Sequence, residues 1–125
     1  MNVSPFQEWI ELADQDEASA RFLVAMRPLP VEVICFHCQQ SAEKTLKAFL
    51  AKKNKDVPRS HDLLVLLDLV ASVAPAMASL ESILLRLNDF SVVVRYPAHV
   101  PLEESDAMQA LKDVGEIRKH LVSNL

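Results

Sequence analysis

Only one of the chain's 125 residues is glycine, Gly115. Tight two-residue hairpins depend on Gly or Asn at positive φ. Loops that cradle phosphate with their backbone need glycines at the points of closest approach. The chain therefore has little means of building β-hairpins, and it contains neither a G-x-G-x-x-G nor a Walker pattern. Seven prolines supply the breaks instead, and half of the residues are apolar, enough for a real core. These features predict an all-α fold of helices joined by proline-marked loops. The length fits one domain, residues 1–125.

Helical periodicity divides the chain into five segments. Ser4-Pro5 opens the first, with Ser4 as N-cap and Phe6, Trp9, Ile10, Ala13, Ala20 and Leu23 as its buried stripe. It should end by Met26, because Pro28 disfavours helical geometry at Arg27. Pro30 begins the second helix, which runs to about Lys53 and is followed by the polar loop NKDVPR. Ser60 is the expected cap of a leucine-rich third helix, with Asp62 complementing its dipole. The fourth spans about Ala76 to Asp89. Ser91 to Val94 is β-branched but lacks a partner strand, so it reads as an extended exit. Ser105 should cap the last helix, with an earlier start at Pro101 as the alternative, and the helix interior holds Gly115 at a cost of about 1 kcal/mol against alanine. The simplest assembly is an antiparallel up-and-down bundle.

The second helix carries the stretch CFHCQQSAEKTLKAFL, Cys35 to Leu50. Cys35, Cys38, Ala42, Leu46 and Phe49 form an apolar stripe. His37, Gln40, Glu43, Lys44 and Lys47 recur at the same steps on another face, where residues three and four apart are neighbours. The plain reading is a solvated face with a Glu43–Lys47 pair. The functional reading is a set of groups that act on one partner.

Several function classes are excluded or disfavoured. No run of apolar residues is long enough to span a membrane, and MNVSPFQEW lacks the pattern of a signal peptide. Cys35 and Cys38 sit one turn apart, where a disulfide would be strained. They read as free core thiols in a reducing cytosol, and no second ligand pair accompanies them, so no metal and no cofactor are expected. The net charge of −4 argues against generic nucleic-acid binding over the whole surface. Charge is segregated, however. Glu8, Glu11, Asp14, Asp16 and Glu17 precede the first base, whereas Lys44, Lys47, Lys52, Lys53, Lys55 and Arg59 cluster later. The two regions can also meet in a homodimer.

In order along the chain, a tryptophan-bearing first helix (Trp9), Gln40-Ser41-Ala42-Glu43-Lys44, Leu46-Lys47-Ala48, Pro58-Arg59-Ser60-His61-Asp62-Leu63, Arg95-Tyr96-Pro97 and an alanine-bearing last helix resemble the HEPN domain family. The resemblance covers nearly the whole chain. It implies a small helical protein, commonly dimeric, in a family named for nucleotide binding. Many members are metal-independent ribonucleases with an arginine followed after four to six residues by a histidine, often paired with a nucleotidyltransferase as toxin and antitoxin. This chain departs from that pattern: Arg95 and His99 are one residue too close, and Pro97 interrupts them. The resemblance is to the RYP-bearing subgroup and leans away from catalysis.

The expected site therefore binds a ligand through Gln40, Glu43, Lys44, Lys47, His61, Arg95 and Tyr96. Arg95 offers a fork that suits phosphate, Tyr96 a stacking face, and Lys44 and Lys47 further positive charge. Glu43 would orient Lys47 or Arg95. His61 stands at a helix start, where local hydrogen bonding is the plain alternative. The favoured function is a nucleotide- or nucleic-acid-binding module that acts with a nucleotidyltransferase. Two others are a degenerate ribonuclease using Arg95 and His99, and a ligand-free dimerisation adaptor.

Overall fold

The structure is a computed structural model that describes residues 3–91 and 101–125. Five α-helices form a bundle: α1 Pro5–Leu23, α2 Val31–Lys52, α3 Leu63–Val73, α4 Glu81–Asn88 and α5 Glu104–Ser123. No strand occurs among the described residues. No described helix is long and apolar enough to cross a membrane.

The bundle is built around α2. Fourteen of its residues are buried, including polar Gln39, Ser41, Glu43, Thr45 and Lys47. Of the second face read from the sequence, Glu43 and Lys47 are buried, whereas His37, Gln40 and Lys44 are half-buried. α1, α3 and α5 all pack on α2, so little of its circumference meets water. The predicted stripe of Cys35, Cys38, Ala42, Leu46 and Phe49 is wholly inside, alongside Leu63, Leu66, Leu80, Leu84, Ile117 and Leu121 from the other helices. Burial at this scale, at roughly 25 cal/mol per Å² of apolar surface, is the main favourable term.

α1 runs antiparallel to α2, because Phe6 lies beneath Lys52 while Asp16 meets His37 and Lys44. α5 runs antiparallel to α1, tied by Arg21 to the Leu111 carbonyl and by Arg118 to Asp14. α4 runs antiparallel to α5, with Arg86 on Asp113 and Phe90 near Asp106. The α2–α3 junction differs. Residues 53–62 travel back along α2, so that His61 sits beside Gln39, and α3 then descends until Leu69 approaches Leu50. Val57 pins this returning loop to the core.

The caps explain where the helices begin and end. Ser4 accepts from the Gln7 amide as expected. At α3 the cap is Asp62, which accepts from the Leu64 amide, while Ser60 accepts from Asp62 itself. At α5 Glu103 is the N-cap, in a reciprocal capping box with Asp106, and Ser105 lies inside the helix. Two carboxylates thus stand where serines were expected, each beside the positive end of a helix dipole. α2 stops where Asn54 takes a φ of 58°. The Lys55 amide then donates to Leu50 and the Asn54 amide to Ala51, the two bonds of a Schellman motif with asparagine in the usual glycine position. The expected fourth helix is divided: Pro75–Leu80 is a 3₁₀ turn and only Glu81–Asn88 is α-helical.

Candidate functional site

Two polar clusters lie along α2. In the first, Glu43 accepts from both sides: Lys47 Nζ at 3.1 Å on its own helix, and His61 Nδ1 at 2.9 Å from the returning loop. Exposure differs sharply across this cluster. The Glu43 and Lys47 side chains are 4% and 5% exposed, whereas His61 is 72% exposed. A buried ion pair persists only if its hydrogen bonds are complete. Lys47 gains a further partner in the Trp9 ring, 5.5 Å from its ammonium. Ionised glutamate only accepts, so His61 Nδ1 carries the hydrogen and Nε2 is left for solvent or a ligand. Gln39 fixes the same turn by donating to the His61 carbonyl, and Gln40 donates to Gln39.

The second cluster is centred on Asp16 of α1. It accepts from His37 Nδ1 at 2.9 Å and from Lys44 Nζ. Lys44 therefore points to a different carboxylate from Lys47. A third pair stands apart from α2: Arg86 grips buried Asp113 through two hydrogen bonds, of 3.2 and 2.8 Å, and Gln109 joins them. The bonds to Asp113 hold the Arg86 guanidinium in its charged form.

The structure thus brings Gln40, Glu43, Lys47 and His61 together and assigns Lys44 to its neighbour cluster. Arg95, Tyr96 and His99 lie outside the described residues. Lys47 is engaged by Glu43 and Trp9 and is enclosed rather than presented to solvent. Sequence reasoning does not reach Asp16, Gln39 or the stabilising role of Trp9. A signal for Asp16 exists: Ala13, Asp16 and Ala20 fall on one helical stripe, and all three are buried, so the acid faces inward. His37 is tied to that acid, and His120 donates to the Glu116 carbonyl within its own helix.

Cys35 and Cys38 are free and buried. Burial pushes both thiols up to about 12, which leaves them protonated and unreactive at neutral pH. Among the described residues no group of three His, Cys, Asp or Glu side chains is arranged to hold a metal ion.

The solved structures similar to this chain include two whole-chain likenesses. TT1696 from Thermus thermophilus superimposes with a TM-score of 0.83 at 22% identity, over 98% of this chain and 100% of its own. ST0689, described as an archaeal HEPN homologue, gives 0.70 at 23% identity, over 97% and 98%. At these identities the likeness shows the fold. No curated protein sequence matches significantly. The HEPN domain itself matches residues 6–125 of this sequence. The chain belongs to the HEPN domain family.

Proposed function

We propose that this HEPN protein binds nucleotides and that His61 is its phosphate-contacting group. One observation carries the reading: an exposed imidazole is held by a buried carboxylate whose charge Lys47 already offsets. Glu43 fixes the ring through Nδ1, so Nε2 is presented in one orientation and little ordering cost is left for binding. Lys47 already offsets the Glu43 carboxylate, so the outward Nε2 edge of His61 is the group that meets a phosphate oxygen. Arg95 and Tyr96, outside the described residues, are proposed as further ligand contacts, the arginine for phosphate and the tyrosine for a base. Lys44 serves by holding α1 to α2 rather than by touching the ligand.

The reading extends to a nucleotidyltransferase partner, in a toxin–antitoxin-like pair, and to a homodimer, as the family resemblance implies. The dimer draws support from large apolar side chains left on the surface, Phe22 at 83% exposure and Val122 at 63% among them. The test is calorimetric titration with ATP. His61→Ala should weaken binding by about 1–3 kcal/mol, the scale of a hydrogen bond to a charged group, with an unchanged melting temperature. Equal binding by the variant and the parent protein would sink the reading.

A further inference from the structure

Six cations among the described residues face carboxylates: Arg21, Lys44, Lys47, Arg86, Arg118 and Lys119. Arg27 donates to two backbone carbonyls. The described cations with neither kind of partner are Lys52, Lys53, Lys55, Arg59 and Lys112, and four of these five fall on the last turn of α2 and the returning loop. Asp56 and Asp62 are the only acids in that stretch, and Asp62 is engaged as the cap of α3.

Helix capping accounts for part of the cluster. Cations near a helix C-terminus offset the dipole, but the effect fades within the last turn, so it covers Lys52 and Lys53 and not Lys55 or Arg59. The loop's course gives the cluster a direction. It leaves α2 at Lys53, is pinned at Val57, passes Arg59 and ends at His61, which bonds Glu43. Glu43 and Lys52 are nine residues apart on α2, about 14 Å at the helical rise of roughly 1.5 Å per residue. The aromatic faces of Phe6 and Phe49 lie 5.3 and 5.4 Å beneath the ammonium groups of Lys52 and Lys53, which places these lysines over fixed ground.

We infer that this edge, from His61 through Arg59 to Lys55 and Lys52, binds the phosphodiester backbone of a polynucleotide. The inference rests on the His61 reading above and narrows its ligand. A row of cations about 14 Å long, set by the rise of α2, is too extended for the phosphates of one nucleotide. It matches successive phosphates of a single strand. The protein's net charge of −4 confines such binding to this edge, because a polyanion is repelled elsewhere.

The test is fluorescence anisotropy on the full chain, using labelled oligouridylate and oligothymidylate of about ten nucleotides and a fluorescent ATP analogue. The oligonucleotides should bind roughly tenfold or more tighter than the ATP analogue, with a log–log salt slope of about −2 to −3, at about 0.7 per phosphate neutralised on a single strand. The combined variant Lys52→Gln, Lys55→Gln, Arg59→Gln should lose roughly tenfold or more of oligonucleotide affinity and keep its ATP-analogue affinity. Lys112→Gln, an unpaired lysine elsewhere, should change neither. Binding of both RNA and DNA identifies the shared backbone as the ligand, and binding of RNA alone adds a contact to the 2′-hydroxyl. Equal affinity for oligonucleotide and ATP analogue, or an unaffected triple variant, overturns the inference. Loss of ATP-analogue binding in His61→Ala beside an unaffected triple variant leaves the His61 site standing without the edge. The opposite pattern leaves the edge without the site.

Discussion

Glu43 serves two partners of opposite exposure, and their responses to its removal should differ. Deleting its carboxylate leaves Lys47 buried and unpaired, with only the Trp9 face beside it. Breaking a buried pair in this way costs about 3–5 kcal/mol. Urea denaturation of Glu43→Ala should show a loss of that size. His61→Ala, on the exposed side of the same carboxylate, should scarcely move the midpoint. Equal small effects would mean that the Glu43–Lys47 pair is solvated rather than enclosed. The two thiols make a separate prediction. Their folded values of about 12 lie above the ordinary 9.0, so above pH 9 the unfolded chain releases protons that the folded chain retains. Stability from this source is complete below pH 9 and is lost as pH rises toward 12. Cys35→Ala/Cys38→Ala should show a shallower alkaline decline in denaturation midpoint than the parent protein. A parallel decline would assign the effect to other groups.

Among the elements, α5 holds the chain's one glycine in its interior, where a close helix contact would be one reason for it. The structure shows none: a Cβ built at Gly115 meets nothing within 4 Å. Gly115→Ala should therefore stabilise the protein by the propensity difference, about 0.8–1 kcal/mol, or roughly 4 °C in Tm for a chain of this size. A lower melting temperature would mean that something occupies that space in solution. The helices themselves are legible because each carries an apolar stripe of period 3.6, and α1 is capped by Ser4 as its sequence predicts. The boundaries are less so. Serine is the expected cap at Ser60 and Ser105, but a carboxylate two residues away takes the role each time, since it can satisfy an amide and the dipole together. The fourth segment's apolar positions fit a helix throughout, yet its start, Pro75–Leu80, takes the tighter 3₁₀ geometry, and periodicity does not resolve that difference.

At the scale of the whole molecule, the sequence shows which groups share a helix face but not how many neighbours enclose that face. The spacing groups His37, Gln40, Glu43, Lys44 and Lys47, but in the structure His37 and Lys44 turn to Asp16 while Lys47 stays with Glu43. The burial of Glu43 and Lys47 is not visible in the spacing, because it comes from α1 and from residues 53–62 folding back along α2. That return path also brings His61 to Glu43 across eighteen positions of sequence, a contact no local pattern encodes. The same path lays the unpaired cations in a row. The HEPN bundle thus uses one helix, α2, both as the axis of its core and as the floor of its candidate site.

The central claim is that His61, oriented by Glu43, meets phosphate. Nitrogen-15 NMR of the histidine rings during titration with ATP tests it most directly. The account predicts that the His61 Nε2 resonance shifts in a saturable manner, while His37, held on Asp16, and His120, bonded within α5, remain in place. A silent His61 ring in a protein that demonstrably binds the nucleotide would contradict it.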